Sequence, residues 1–289
     1  MRLLQVSDPH FGTERPEVAE GLLRLAHALV PDVVMLSGDI TQRARHAQFA
    51  SARAFFDKLL QRPASEPPAV LVAIPGNHDI PLFNLAARAF WPYAGFRAHF
   101  GRDLEAQWQS PALQLTTVNT TRRWRHKDGQ ISSAQIERVA QRLRQATPEQ
   151  LRVVVAHHPM AVPRDSERKN LLHGSQVALQ RWAQAGADLV LGGHIHLPGV
   201  LPLHDMLPGL TRRMWVVQAG TAVSRRVRQE ADNSVNVLRL SDADAADNTA
   251  VPGQRRCRVE RWDWRPAAQA FEPADVHELD CDHGPPRGT

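Results

Sequence analysis

Asp32-Val33-Val34-Met35-Leu36-Ser37-Gly38-Asp39 is a short β-branched and apolar run, bounded by Pro31 and closed by Gly-Asp. It reads as a strand that ends in a turn. Working outward, Val18–Leu29 and His46–Leu60 carry apolar residues at helical spacing, and Leu3–Ser7 and Val70–Ile74 are two further short apolar runs. The resulting alternation of strand, helix, strand, helix and strand predicts parallel strands joined by crossover helices, an α/β fold. Leu113–Val118, Val153–Ala156 and Asp188–Leu191 continue the strands. Ser132–Arg144, with Ser132 as N-cap, and Ser175–Ala185 continue the helices.

After Gly193 the pattern changes. Met214–Ala219, Ser234–Leu240 and Cys257–Asp263 read as strands without intervening helices, which predicts a second, more antiparallel sheet. The polar stretch Ser241–Gln254 reads as a mobile loop. From about Pro266 the chain is rich in Pro, Asp and Glu and reads as a loosely packed tail. With no internal repeat and no long linker, the expected organisation is one domain over 1–265 and a tail over 266–289.

The 289 residues carry 35 Lys+Arg against 30 Asp+Glu, a net charge of +5, and 43% of them are hydrophobic. That composition supports a large core and excludes a disordered chain. Two cysteines, Cys257 and Cys281, are too few for a disulfide framework or a thiolate zinc site. No segment approaches the roughly 18 apolar residues of a membrane span. Met1–Asp8 lacks the apolar length and cleavage site of a secretory signal, so the expected location is the cytoplasm. The basic balance leaves nucleic acid or phosphorylated ligands open and argues for neither alone. The unusual number is 14 histidines.

Five short stretches follow predicted strands: Asp8-Pro9-His10, Gly38-Asp39, Gly76-Asn77-His78-Asp79, His157-His158-Pro159 and Gly192-Gly193-His194-Ile195-His196. Residues after parallel strands converge on the carboxyl edge of a sheet, where α/β proteins place their sites. Singly, each stretch also reads as ordinary structure. Asp8 and Gly38-Asp39 are common turn residues, and His157-His158 would serve as buried core histidines. Together they gather carboxylate, amide and imidazole donors that suit Mn, Fe, Zn or Co. Their number exceeds what one tetrahedral ion takes and suits two ions sharing a carboxylate.

The order D-x-H, G-D, G-N-H-D, H, G-H-x-H, spread over residues 3 to about 220, resembles the calcineurin-like metallophosphoesterase superfamily. With GNHD and HHP as they stand, the chain is similar to its class III cyclic-nucleotide phosphodiesterases. The resemblance implies a four-layer αββα sandwich of two mixed β-sheets flanked by helices. It implies two metal ions (Mn, Fe or Zn), one held by Asp8, His10, Asp39 and His196 and the other by Asp39, Asn77, His157 and His194, with Asp39 bridging. His78 then falls over the substrate phosphate as a catalytic residue, with Asp79 orienting its ring. The implied activity is hydrolysis of small-molecule phosphodiesters, 3′,5′-cyclic nucleotides among them, by a hydroxide bridging the metals.

Substrate recognition is carried by fewer signals. Asn77 and His78 adjoin the phosphate position. Arg122 opens the segment Arg122–Lys127, which combines dense positive charge with Trp124 and could bind phosphate oxygens or stack a base. Arg225, Arg226 and Arg228 form a second basic cluster. Phe90-Trp91-Pro92-Tyr93 reads mainly as core, with a substrate wall or lipid contact as the alternative. Other activities on the same ligand set are a nuclease, a lipid or nucleotide-sugar pyrophosphohydrolase and, least favoured, a non-catalytic binding module.

Overall fold

In the computed structural model, the run 32–39 is a strand at Val33–Leu36 whose residues face two different cores in alternation. Val34 and Leu36 pack under helices, and Val33 and Met35 pack against a second sheet. A strand covered on both faces needs apolar residues at every position, which is why the run shows no polar alternation. The structure describes residues 1–62, 66–210, 212–228, 231–240 and 254–282.

In chain order the elements are β1 (Arg2–Val6), α1 (Pro16–Leu29), β2 (Val33–Leu36), α2 (His46–Leu59), β3 (Val70–Ala73), α3 (Leu85–Phe90), α4 (Ala94–Phe100), β4 (Gln107–Gln109) and β5 (Leu113–Val118). They continue with α5 (Ser133–Arg144), β6 (Leu151–Ala156), α6 (Ser175–Gln184), β7 (Leu189–Gly192), β8 (Gly199–Pro202), α7 (Leu203–Met206), β9 (Trp215–Gln218), β10 (Ser234–Leu240), β11 (Gln254–Arg265) and β12 (Ala270–Asp282). Short 3-10 helices occupy Asn77–Asp79 and Asp165–Asn170. Pro16 starts α1 at the position where a missing N–H costs nothing. Ser132 caps α5, its hydroxyl accepting from the Gln135 amide while the Gln135 side chain accepts from the Ser132 amide.

The strands form two six-stranded mixed sheets, ordered β12-β11-β10-β1-β2-β3 and β4-β5-β6-β7-β9-β8. Leu3, Val72, Leu238 and Leu279 of the first sheet meet Leu115, Val153, Leu191 and Val217 of the second in a shared core. α1, α2 and α4 cover the outer face of the first sheet, and α5, α6 and α7 that of the second. The result is the four-layer αββα sandwich. Among the described residues no helix is long and apolar enough to cross a membrane.

Two expectations need correction. The late strands do not make a sheet of their own. β9 joins the second sheet parallel to β7, while β10, β11 and β12 extend the first sheet antiparallel from β1. The helix-poor pattern was read as a new sheet because hairpin-linked strands look alike whichever edge they join. Nor is the chain beyond 265 a loose tail, since Ala270–Asp282 is strand β12. Its acids lie opposite the arginines of β11: Arg256 opposite Asp280, Arg258 opposite Glu278 and Arg261 opposite Asp275. Pro273 adjoins a register shift on this edge strand, where the missing donor is harmless. The stretch 241–253 and residues 283–289 lie outside the described residues.

Leu279 is buried between the sheets, so Leu279→Ala is expected to cost roughly 2–5 kcal/mol of stability in urea unfolding. An unchanged midpoint would restore the loose-tail reading.

Candidate metal centre

The loops leaving β1, β2 and β3 in one sheet and β6 and β7 in the other emerge on the same rim of the sandwich, because these strands run parallel within their sheets. The rim is where Asp8, His10, Asp39, Asn77, His157, His194 and His196 meet. Their backbone is unusual. Asp8, His10, Asp39, His194 and His196 all have φ between 45° and 74°, a region that side chains other than glycine's rarely adopt. Five such residues at one rim mark a place where the surrounding packing imposes a costly conformation, as functional sites do.

Two glycines let the loops close up. The His157 ring occupies the space where a Gly38 Cβ would stand, and Gly38 itself has φ of 99°. A Cβ on Gly76 would collide with the amide and carboxylate of Asp39.

The donor atoms fall into two groups on either side of Asp39. On one side, His10 Nε2 lies 3.7 Å from Asp39 Oδ2, 3.9 Å from Asp8 Oδ1 and 3.1 Å from His196 Nε2, which is 3.3 Å from Asp8 Oδ1. On the other, His157 Nε2 lies 3.3 Å from both Asp39 Oδ1 and Asn77 Oδ1, and His194 Nδ1 lies 3.0 Å from Asn77 Oδ1. Donors bound to a common ion at 2.0–2.2 Å sit about 3.0–3.4 Å apart. The second side meets this spacing throughout, and on the first the His10 separations of 3.7 and 3.9 Å from the carboxylate oxygens correspond to donors at wider angles around an ion.

The ring orientations fit as well. His157 Nδ1 donates to the Ser37 carbonyl at 2.9 Å, and His196 Nδ1 to the Arg226 carbonyl at 2.6 Å. A carbonyl can only accept, so both rings present Nε2 to the cluster, the usual outer arrangement of metal-ligating histidines. Each Nε2 faces a carboxylate, a contact that requires a cation, proton or metal, between them.

The electrostatics say the same. Burial acts to raise Asp8 and Asp39, yet the histidines beside them hold both carboxyls below the ordinary range. Burial acts to lower His157, and the Asp39 carboxylate outweighs it, raising this ring to about 9. His196 is likewise raised, by Asp8 against burial. His10 and His194 are pushed down by burial, to about 3 and about 4. The two carboxylates thus hold cationic charge, proton or metal, on the donors beside them.

His158, adjacent to this cluster, is otherwise engaged. Thr120 Oγ1 lies 2.7 Å from its Nδ1, and its Nε2 donates to the Lys127 carbonyl at 2.9 Å. It anchors the 120–129 loop.

Three expected roles fare differently. The His78 ring donates from Nδ1 to the Gln42 carbonyl at 2.9 Å, and packs edge-on to His10 with centroids 4.8 Å apart. Asp79 does not touch that ring. Its carboxylate accepts from the amides of Gly76, Ile40 and Thr41 and from the Thr41 hydroxyl, so it ties the loop after β3 to the loop after β2. Burial, with Asp39 nearby, pushes it up to about 7. The resemblance implies a contact of Asp79 with the His78 ring, but in the 3-10 turn the carboxylate is taken up by backbone amides and the Thr41 hydroxyl. Arg122 also turns away from the expected role. Its guanidinium donates to the Asn119 and Thr121 carbonyls and to Gln135. Asn119 itself accepts from Thr121 and takes no part in the donor cluster.

The arginine that reaches the site is Arg226, whose Nη1 lies 2.9 Å from His78 Nε2 and 3.3 Å from Gln42 Oε1. Its neighbour Arg228 donates to the Ile195 carbonyl and pairs with Glu167, bracing the loop that carries His194 and His196. Sequence showed only a basic cluster here. What brings Arg226 to the site is the turn after β9, where Thr221 Oγ1 donates to the Asp8 carbonyl at 2.7 Å.

Residues 1–198 match the family model for calcineurin-like phosphoesterases. A search of curated proteins found no match to this chain. Among solved structures, the purple acid phosphatase PPD1 from yellow lupin (Lupinus luteus) seeds superposes with a TM-score of 0.68 at 13% identity, over 98% of this chain and 54% of that one. This chain thus spans about half the length of the lupin protein. A dimetal phosphatase from Danio rerio gives a TM-score of 0.63 at 10% identity over 98% and 99% of the two chains. An anchor protein of the Plasmodium inner membrane complex gives 0.59 at 12% over 98% and 89%. Likeness at such identities speaks for the fold alone, which hosts phosphatases and an anchor alike. The fold, the family-model match over two thirds of the sequence and the clustered Asp and His donors agree: the chain belongs to the calcineurin-like phosphoesterase family.

Proposed function

We propose that this protein is a binuclear-metal phosphodiesterase acting on small-molecule phosphodiesters. The observation that carries the reading is Asp39, whose two carboxylate oxygens face separate sets of donors. Asp8, His10, His196 and Asp39 Oδ2 would hold one ion, and Asp39 Oδ1, Asn77, His157 and His194 the other. Bound there, two ions would supply Lewis acidity at the phosphate oxygens and lower the pKa of a water to near neutrality.

The chain's own groups do the rest. Asp39 keeps negative charge between the two cation positions and so offsets their repulsion. The Ser37 and Arg226 carbonyls fix the tautomers of His157 and His196. Because the Gln42 carbonyl takes the Nδ1 proton of His78, the ring presents Nε2 to the substrate. To protonate the departing oxygen from there, His78 must first take up a second proton at Nε2 as substrate displaces Arg226, with Nδ1–H still held by the Gln42 carbonyl. Arg226, which donates to Nε2 without substrate, has its N–H groups beside the phosphate position and neutralises charge there. Asp79 is a positioning residue for the loop that carries Asn77 and His78.

The metal is Mn, Fe or Zn by donor type. Metal analysis of protein purified without chelator should give close to two ions per chain, and Asp39→Ala should lower kcat/KM by more than about 10²-fold. Full activity in that variant would overturn the assignment.

A phosphodiesterase must accommodate two ester groups on phosphorus, whereas a phosphomonoesterase accommodates one. Bis(p-nitrophenyl) phosphate should therefore be hydrolysed with a higher kcat/KM than p-nitrophenyl phosphate at equal metal loading. The reverse order would make the protein a phosphomonoesterase. A screen of the Mn-loaded protein should include 3′,5′-cyclic nucleotides.

His78→Ala should slow alkyl phosphodiesters by about 10²–10⁴-fold, because an alkoxide leaves only when protonated, and should slow p-nitrophenyl esters much less. Arg226→Met should instead raise KM on both substrates alike. Equal losses on both leaving groups in His78→Ala, with metal content unchanged, would assign His78 to phosphoryl charge rather than to proton transfer.

A further inference from the structure

Of the nine large apolar side chains that stand exposed among the described residues, five gather in one place: Phe83, Leu85, Phe90, Trp91 and Trp124. Phe83, Trp91 and Trp124 are 74%, 66% and 68% exposed. α3, which lies between Phe83 and Trp91, buries none of its residues. Trp124 joins the group because its neighbours hold α3 directly: Arg123 donates to the Ala89 carbonyl, and the Arg125 carbonyl accepts from Arg88. The placement overturns the core reading for Phe90 and Trp91, while Pro92 and Tyr93 are half-buried, and it leaves an apolar ledge that the fold itself does not use.

The ledge borders a groove of about 680 Å³, a size typical of ligand sites. Its lining combines Leu82, Phe83 and Trp91 with Arg43, Arg45 and His46. Arg43 lies over the Phe83 ring, 5.1 Å from its centroid. The near end adjoins the metal centre through the chain itself. Gln42, whose carbonyl holds His78, precedes Arg43, and Pro81 follows the turn carrying Asn77 and His78. The cationic residues of the lining suit a negative phosphate nearby, and the apolar ones suit hydrocarbon.

We infer that this groove receives an apolar ester group of the substrate, so that the preferred substrate is an amphiphilic phosphodiester with one hydrocarbon substituent rather than a cyclic nucleotide. The inference rests on the phosphodiesterase reading and names its substrate class.

The test uses methyl and octyl p-nitrophenyl phosphate, both below their aggregation concentrations, with the Mn-loaded full chain. Each methylene removed from water is worth roughly fourfold, so burying half of the seven added ones gives an octyl-to-methyl ratio of kcat/KM of about 100. In the double variant Phe83→Ser with Trp91→Ser the ratio should fall below about 5. Because both residues are exposed, melting temperature should hold.

A wild-type ratio near 1, with the methyl ester hydrolysed, overturns the inference and leaves the phosphodiesterase reading intact. So does a ratio that survives the double variant. Failure to hydrolyse either ester overturns both. If the ratio is near 1 and the variant converts an associated form to monomer in size-exclusion chromatography, the ledge is a protein contact, and the inference again falls. Given a high ratio, co-sedimentation with phosphatidylcholine–phosphatidylglycerol vesicles that Trp91→Ser abolishes places the substrate in a membrane. A high ratio without sedimentation makes it a dispersed amphiphile.

Discussion

His157 reaches across from the second sheet and fits its ring between the Ser37 carbonyl and the Asp39 carboxylate of the first. The rest of the rim depends on this interlock. It demands a glycine at 38, because the ring fills the space of a side chain there. It also brings the carboxyl ends of two separate sheets into register, so that donors from β1, β2 and β3 face donors from β6 and β7. Gln5 reinforces the seam just below, donating to the Gly192 carbonyl at 3.0 Å across the sheets and accepting from Asn236. A buried amide with partners on both sides tolerates little sliding of one layer over the other.

The same seam concentrates charge. Asp8, Asp39 and Asp79 are all buried near one another, and a protein interior tolerates such a group only with partners. Asp79 meets its need with four donated hydrogen bonds, which is why it organises loops. Asp8 and Asp39 have fewer donors and face imidazoles instead, so their need remains for a cation to meet. The division between structural and chemical carboxylates thus follows from how many N–H and O–H groups each one reaches. The ring tautomers follow similarly from backbone carbonyls, since Ser37, Arg226 and Gln42 each consume one ring proton.

The arginine-rich composition has a structural use that bears on partners. Arg256, Arg258 and Arg261 on β11 stand opposite acids on β12, and Arg239 and Arg258 share Glu260. Exposed pairs such as Arg258 with Glu278 add little stability singly. Together they set the register of an edge hairpin and use up positive charge that would otherwise suggest a nucleic-acid surface. The arginines left near the rim are few, and Arg226 is the one among them that touches His78.

Much of this was legible in the sequence. The parallel βα units, the helix cap at Ser132 and the five strand-end stretches are all local, each depending on a hydrophobic period or on residue types directly after a strand. The choice of seven donors within those stretches is what the family resemblance implies. Asp8, Asp39 and His157 could be named without coordinates because a parallel sheet delivers every strand end to one rim. What remained hidden depends on pairing between distant segments. The acidic residues 270–282 look like a tail until the arginines of β11 lie opposite them. Asp79 and Arg122 look like site residues until their turns aim them at backbone groups. Arg226 looks like one surface arginine among several until the turn after β9 folds over Asp8. Sequence determined which chemistry gathers at the rim, because strand direction alone sends it there. Only the tertiary structure decided which side chains face inward, because that depends on loop dihedrals and on contacts across more than a hundred residues.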